Sequence, residues 1–213
     1  MPTRPHLAIN MVATVDGRAA LGGTATGIGS ALDRQHMRQL RADFDVVLHG
    51  AGTVRADPLS ARVPPHLAEQ RAARGQTPQP LGAIITASGN LPFEHPYYQS
   101  ATVVYITSDR PVRVPDSVQV VRVADVPAAI DDLAQRGVQR ILCEGGPRLN
   151  AALLQAGLVD ELYFTLAPKL AGGDDPLTIV HGGAFGVLRL RLLSLQDHDG
   201  ELFLRYAVLS ASS

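Results

Sequence analysis

Short runs of β-branched and apolar residues alternate with helical patterns along most of the chain. Such runs predict strands, because a strand in a covered sheet buries apolar side chains on one or both faces. The predicted strands are His6–Val12, Asp45–His49, Leu81–Thr86, Ala101–Thr107, Val118–Val123, Gln139–Cys143, Glu161–Ala167, Val187–Leu195 and Glu201–Val208. Strands that alternate with helices indicate a central sheet covered on both faces.

Three segments carry helix signals. The first starts at Ser30, where Asp33 three residues on provides a capping signal, and apolar residues then recur at helical spacing. The second runs over Pro127–Arg136 and meets a glycine, the usual stop. The third begins with Pro147 as its first helical residue and ends at Gly157.

The end of the chain has a different pattern. Val187–Leu195 alternates in polarity, and a D-H-D-G turn at Asp197–Gly200 leads into the last strand, which predicts an antiparallel hairpin. Pro64–Pro80 is polar and predicts a surface excursion with at most a short helix. The 213 residues show no repeat and no dividing linker, so we expect one α/β domain with a mixed sheet.

The charge composition narrows the classes of function. Charged residues make up 18% of the chain, against about 25% in an average globular protein, which indicates a large buried fraction in a core, a subunit interface or both. With 19 basic and 20 acidic residues there is no basic field for a phosphate backbone, and we expect no nucleic-acid binding.

The single cysteine and the apolar N-terminal stretch bear on location. Cys143 alone cannot form an intrachain disulfide or a multi-cysteine zinc site, and we expect no metal and a reducing cytoplasm. The stretch Leu7–Val15 is too short to span a bilayer, so no membrane partner is expected.

The strongest chemical signal lies in Arg140–Asn150, where a buried strand runs into Glu144, a Gly145-Gly146 turn and a helix. Two glycines let backbone N–H groups approach a ligand, and the helix N-terminus favours a pyrophosphate. A tight structural turn explains the same glycines. Glu144 lies between a buried strand and this turn, where its pKa is expected to rise so that it can exchange protons.

Three further turns are open to two interpretations. Asp16-Gly17 follows the first strand and is a hairpin signal, so a structural turn explains it as well as a functional site does, and the same holds for the turn signal Asp57-Pro58. Gly50–Thr53 predicts a glycine turn, and it lacks the third glycine of a dinucleotide-binding fingerprint.

Five motifs occur in order: T-V-D-G-R at Thr14–Arg18, L-R-A at Leu40–Ala42, G-A-G-T-V-R-A-D-P at Gly50–Pro58, C-E-G-G-P-R-L at Cys143–Leu149, and G-L-V-D-E-L with A-P-K-L-A-G-G at Gly157–Leu162 and Ala167–Gly173. Together they resemble the reductase domain of the riboflavin-biosynthesis deaminase/reductase, within the dihydrofolate-reductase-like superfamily. The resemblance covers essentially the whole chain. It implies a single-domain, three-layer α/β/α fold with a mixed, mostly parallel sheet.

The resemblance also implies an activity. The family uses NADPH to reduce 5-amino-6-(5-phosphoribosylamino)uracil to the ribitylamino compound, opening the ribose by hydride delivery to C1′. It further implies a homodimer, for which the apolar strands from Glu161 to Val208 are candidates. A deaminase half needs H-x-E and P-C-x-x-C motifs for zinc, which these residues lack, so a free-standing reductase is expected.

The same resemblance assigns site residues. Those matching cofactor-binding positions are Met11, Val12, Thr53, Asp57, Thr86, Gly145, Gly146, Pro147, Arg148, Leu149 and Asn150. Those matching substrate-binding positions are Arg41, Leu59, Arg62 and Glu144, and the resemblance implies that the arginines hold the substrate phosphate. The catalytic candidates are Asp57, Glu144 and Asn10, which stands where many members have lysine.

Two other functions remain open at the level of sequence. One is an enzyme of the same superfamily that reduces dihydrofolate or a related pterin or pyrimidine. The other is a nucleotide-binding sensor without catalysis.

Overall fold

The computed structural model describes residues 4–56, 60–109, 111–112, 114–116, 118–174 and 177–209. Within them nine strands and five helices follow one another, with a short 3₁₀ turn at Pro96–Gln99. The elements are β1 (His6–Thr14), α1 (Ala31–Ala42), β2 (Val46–Gly50), α2 (Ala51–Ala56), α3 (Pro65–Ala73), β3 (Leu81–Thr86), β4 (Thr102–Ile106), β5 (Gln119–Arg122), α4 (Val126–Gln135), β6 (Arg140–Cys143), α5 (Pro147–Gln155), β7 (Glu161–Ala167), β8 (Leu190–His198) and β9 (Glu201–Val208).

The nine strands form one mixed sheet in the order β5-β4-β3-β2-β6-β1-β7-β9-β8. Every pair from β5 across to β7 is parallel. The pairs β7–β9 and β8–β9 are antiparallel, which confirms the mixed, mostly parallel sheet and its C-terminal hairpin.

Helices cover both faces of the parallel part, as predicted. On one face the odd positions of β1 and the even positions of β2 pack with α4 and α5, as Leu7, Leu48 and Leu133 show. On the other face Val47 packs with α2, and Ala8 packs with the C-terminal end of α1. The result is a three-layer α/β/α arrangement.

The hairpin turn is tighter than the sequence indicated. Asp199 (φ 53°) and Gly200 (φ 84°) form a two-residue turn between the paired His198 and Glu201. Two consecutive positive φ angles are the requirement of a type I′ turn. The predicted strand Val187–Leu195 was therefore misplaced, because β8 starts at Leu190 and continues through His198.

Two loops predicted from the sequence contain helices. The glycine turn predicted at Gly50–Thr53 is wrong, since α2 begins at Ala51 directly after β2. The excursion Pro64–Pro80 holds α3, and Arg71 fixes this helix to the core by donating to the Phe44 carbonyl (2.6 Å). Arg71 is 1% exposed, so α3 is anchored rather than merely lying on the surface.

Candidate active site

A cleft of about 870 Å³ opens where the parallel strands end. Ligands of open α/β sheets bind outside the carboxyl ends of the strands. Here β6 ends at Cys143, opposite Ile9 of β1. Because β1 continues beyond that point, Asn10 and the residues after it lie beside the cleft.

Strand register brings three polar residues together. Cys143 is opposite Ile9 on one side and Leu48 on the other. The residues that follow Cys143, Ile9 and Leu48 are Glu144, Asn10 and His49, respectively. Successive residues of a strand alternate between faces, so all three share the face that α1 covers.

Glu144 forms a bidentate ion pair with Arg41 of α1. Arg41 Nε donates to Glu144 Oε1 (2.7 Å) and Nη2 donates to Oε2 (2.6 Å). Arg41 Nη1 donates to the Ser60 carbonyl (2.5 Å). The Arg41 side chain is 5% exposed and the Glu144 side chain 7%, so the pair is largely shielded from water.

A buried histidine contacts Glu144 from the other side. His49 Nε2 lies 3.2 Å from Glu144 Oε2, and its Nδ1 lies 3.0 Å from the Tyr97 hydroxyl. An ionised carboxylate only accepts hydrogen bonds, so Nε2 donates. Glu144 is thus held by donors from α1 and β2 while it borders the cleft.

These contacts reverse the expected pKa shift of Glu144. Burial raises the pKa of this carboxyl, but the Arg41 charge and the hydrogen bonds from Arg41 and His49 outweigh burial and lower the pKa to about 2. The predicted rise was wrong because the strand end faces a guanidinium. Glu144 is an ionised acceptor at neutral pH and not a proton donor.

The glycine turn forms the floor of the cleft. Gly145 has φ 85°, a conformation that favours glycine, and its carbonyl accepts a hydrogen bond from Gly50 N (2.7 Å). A Cβ on Gly146 would lie 2.8 Å from Thr53 Oγ1. Gly146 is the N-cap of α5, and no side chain caps this helix. Pro147 has no N–H and Leu149 N donates to the Gly146 carbonyl (2.9 Å), so the Arg148 N–H is the donor of the first turn that a ligand can take.

Most residues assigned by resemblance border this one cleft. They are Asn10, Met11, Val12, Thr53, Thr86, Glu144, Gly146, Pro147, Arg148 and Leu149. Thr86 is nearly buried, and its hydroxyl accepts a hydrogen bond from Gly89 N (3.0 Å). Asp57 and Leu59 lie outside the described residues, and their assigned roles stay predictions.

Four other assigned residues do not border the cleft. Arg41 lies behind Glu144 with its donors engaged, so it does not face a substrate phosphate in this arrangement. Asn150 is fully buried, where its Nδ2 donates to the Ile179 carbonyl (2.8 Å), so its side chain serves the fold. Arg62 is exposed, away from the cleft lining. Gly145 is buried within the glycine turn.

The Asp16-Gly17 turn is not part of a hairpin, since both neighbours of β1 are parallel strands. The Asp16 carboxylate accepts hydrogen bonds from Ala171 N (3.1 Å) and Gly172 N (2.8 Å). The Thr14 hydroxyl and these amides lower the pKa of Asp16 to about 2. Asp16 therefore joins two of the sequence motifs through a structural contact.

Sequence reasoning missed three polar side chains of the site. His49 and Tyr97 had no motif around them, and His49 could be found only from strand parity. Asp33 was interpreted as a capping residue, yet it borders the cleft. Asp33 precedes Met37, another cleft residue, by four positions. This spacing places both side chains on one face of α1 and is the signal that could have identified Asp33 as a cleft residue.

Neither a metal-binding cluster nor a membrane-spanning helix occurs among the described residues. In that part of the chain, no group of three or more His, Cys, Asp or Glu side chains could hold a metal ion. No helix among the same residues is long and apolar enough to cross a bilayer.

The sheet order, the cleft at the strand ends and the glycine turn at a helix N-terminus define an α/β protein with a nucleotide-sized ligand site. The chain belongs to the RibD C-terminal domain family, whose model matches residues 5–204.

The names of similar proteins are consistent with this family. The 2,5-diamino-6-ribosylamino-4(3H)-pyrimidinone 5′-phosphate reductase of Methanothermobacter thermautotrophicus is 26% identical over 96% of this chain and 99% of the relative. The riboflavin biosynthesis protein RibD of Escherichia coli is 30% identical over 80% of this chain and 50% of its own length. The solved structure of Acinetobacter baumannii RibD matches the fold with a TM-score of 0.82 at 24% identity, over 97% of this chain and 58% of that one.

Proposed function

We propose that this protein reduces a phosphoribosylaminopyrimidine with NADPH, as 5-amino-6-(5-phosphoribosylamino)uracil reductases do. The observation that carries the proposal is a single cleft in which the glycine turn and α5 N-terminus lie beside the ionised Glu144. The glycine turn and the α5 N-terminus suit a pyrophosphate, and the Glu144 carboxylate suits the N–H groups of a pyrimidine. The name of the Methanothermobacter relative, a pyrimidinone phosphate reductase, supports the substrate class.

The residues present fit a nicotinamide cofactor. Gly50 and Gly146 let the two turns at the floor of the cleft pack closely, since a Cβ on Gly50 would lie 3.2 Å from Gly146 N, and both glycines border the cleft. The uncapped first turn of α5 suits the pyrophosphate, and Thr53 and Thr86 border the same space. When bound, a reduced nicotinamide supplies the hydride.

The contribution of the chain is positioning and charge. Glu144 is fixed by Arg41 and His49, which both donate to Oε2, while Oε1 accepts once from Arg41 and keeps acceptor capacity for a ligand in the cleft. A carboxylate held ionised can accept hydrogen bonds from amino and ring N–H groups of the substrate pyrimidine. Asn10, next to Glu144 in register, offers a neutral donor and acceptor where a lysine would place a charge.

We further propose a cytoplasmic homodimer formed through the C-terminal hairpin. All nine residues of β8 are exposed. Among them Leu190, Leu192, Leu193 and Leu195 are 39–53% exposed, a stripe of apolar surface on the last strand of the sheet. A second copy of this chain is the occupant that accounts for both the stripe and the low content of charged residues.

A parallel assay tests the proposed reaction. Oxidation of NADPH is followed with the deaminated phosphoribosylaminopyrimidine, with its diamino precursor and with dihydrofolate. Turnover with a phosphoribosylaminopyrimidine supports the proposal, and the faster of the two identifies the substrate. Turnover with dihydrofolate alone would favour a pterin reductase, and cofactor binding without any turnover would favour a sensor.

A further inference from the structure

A second carboxyl group reaches the cleft from α1. Asp33 lies three residues after the N-cap Ser30 and borders the cleft with Asn10, Met37 and Glu144. Asp33, Met37 and Arg41 are spaced four apart, so they share the helix face that is turned to the site.

Asp33 does not cap the start of α1, although its position suggests that role. In a capping box the side chain three residues on accepts a hydrogen bond from the N-cap N–H. Here Ser30 N donates instead to Glu201 Oε1 (3.0 Å), and the Ser30 hydroxyl donates to Glu201 Oε2. Glu201, at the start of β9, is 5% exposed. It completes the cap and leaves the Asp33 carboxyl free for another purpose.

The Asp33 carboxyl is confined by Gly29 and Thr165. It lies so close to Gly29 that any side chain there would clash with it. The Thr165 hydroxyl of β7 donates a hydrogen bond to it. The Lys169 ammonium holds the segment before Ser30, because it donates to the carbonyls of Gly27 and Ile28, both at 2.7 Å.

Burial and neighbouring charges raise the pKa of the Asp33 carboxyl. Burial raises the pKa of this carboxyl, the negative charges of Glu201 and Glu144 raise it further, and only the Thr165 hydrogen bond and Arg34 act in the opposite direction. His36, one turn along, packs its ring against Phe203. Within the part of the chain that the structure describes, no guanidinium forms an ion pair with Asp33 as Arg41 does with Glu144.

We propose that Asp33 is the proton donor of the reduction, an inference that rests on the proposed function. In that reaction C1′ of the ribosylamine gains a hydride from the reduced nicotinamide, the bond between C1′ and ring oxygen O4′ breaks, and O4′ takes a proton. Asp33 gives this proton from its carboxyl group and regains one from solvent. The balance is one hydride and one proton added to the substrate.

The two carboxyl groups of the cleft thus have different roles. Glu144 stays ionised beside Arg41 and accepts hydrogen bonds from the substrate. Asp33, confined beside Gly29 and facing two like charges, carries the transferable proton. Two carboxyl groups whose surroundings move their pKa values apart are a recurrent arrangement for acid catalysis.

The test compares Asp33→Asn with wild type and with Asp131→Asn. Asp131 is exposed on α4, outside the cleft, and gives a matched loss of one helical carboxylate. For Asp33→Asn we expect kcat to fall about 100-fold or more, with KM for both substrates within about threefold of wild type. Wild-type kcat is expected to decline as pH rises through the Asp33 pKa. Asp33→Glu should restore part of the activity and this pH dependence, which Asp33→Asn cannot do.

A second readout needs neither cofactor nor turnover. In ¹³C-carboxyl NMR spectra of the free protein, the resonance that Asp33→Asn removes should titrate above the ordinary aspartate value of 3.8. Circular dichroism of each variant verifies that the fold is kept.

Each outcome decides one question. An active wild type whose kcat survives in Asp33→Asn would overturn the Asp33 assignment and leave the proposed function standing. So would a carboxyl resonance that titrates at or below the ordinary value. A wild type that turns over neither phosphoribosylaminopyrimidine would overturn the proposed function and the role of Asp33 with it.

Discussion

Glu144 and Arg41 determine the electrostatics of the site at the scale of single residues. A carboxylate at a buried strand end has its pKa raised by burial, and here the bidentate guanidinium reverses the sign. Breaking a buried pair leaves an uncompensated charge, which costs far more than losing an exposed pair. The pair therefore serves both the stability of the protein and the chemistry of the cleft.

The first residue-scale prediction concerns activity. Glu144→Gln keeps the shape of the side chain but removes the charge that accepts substrate N–H groups. We expect kcat/KM for the pyrimidine to fall about 100-fold, with NADPH affinity, measured by fluorescence titration, nearly unchanged. Loss of both properties together, or of neither, would contradict this role.

The second residue-scale prediction concerns acid stability. The folded-state pKa of Glu144 lies below its ordinary 4.5, so its contribution to stability is present above that pH and is lost as pH falls toward about 2. Urea unfolding at neutral pH should show Glu144→Gln less stable than wild type by about 3 kcal/mol. Near pH 2 the difference should shrink. An equal difference at both pH values would show that the Glu144 charge is not responsible.

At the scale of elements, the junctions between β2 and α2 and between β6 and α5 build the cleft floor. Both helices start within a few residues of a strand end, and glycines let the two turns approach each other: Gly50 N donates to Gly145 O at 2.7 Å. Backbone approach this close excludes side chains on the facing residues.

Gly146→Ala tests this floor. Its Cβ would lie 2.8 Å from Thr53 Oγ1 and displace the cofactor side of the cleft. We expect NADPH affinity to fall about tenfold or more, a loss of about 1.4 kcal/mol. Gly186→Ala is the control, since a Cβ there meets nothing within 4 Å. Unchanged affinity in Gly146→Ala would argue against a cofactor over this turn.

The elements also show how far sequence patterns reach. The predicted limits of β3, β7 and β9 coincide with the structure, because their apolar runs are bounded by polar or turn residues. The end of β8 was misplaced since the type I′ turn needs only Asp199 and Gly200, and the rest of the D-H-D-G motif belongs to the strand. α2 was missed because two glycines flank its start.

At the scale of the whole molecule, the antiparallel hairpin is the least covered part of the sheet. Helices pack over the parallel strands, whereas every residue of β8 is exposed. An unpaired strand edge with apolar side chains is a surface that another chain readily covers.

The expected homodimer is tested by light scattering at micromolar concentration. Wild type should have the mass of two 22.6 kDa chains. Leu192→Asp, on β8, should shift the protein to monomer, while Leu170→Asp, an exposed leucine outside the hairpin, should not. A monomeric wild type would instead assign the surplus apolar residues to the core.

The site could be predicted from the sequence only in part. Motifs located Glu144 and the glycine turn, because their backbone requirements are written in neighbouring residues. The roles of Arg41, His49 and Asp33 depend on strand order, register and the distant Glu201, which no local pattern contains. Arg41 pairs with Glu144 through contacts between distant parts of the chain, and it is therefore not the phosphate ligand that its motif predicted.

The most direct measurement of the central claim follows the hydride itself. NADPH carrying deuterium at the transferred C4 position is incubated with the wild-type protein and the phosphoribosylaminopyrimidine, and the product is analysed by NMR and mass spectrometry. The account predicts a ribitylamino product with deuterium at C1′. Deuterium retained in the cofactor, or placed on the pyrimidine ring, would contradict it.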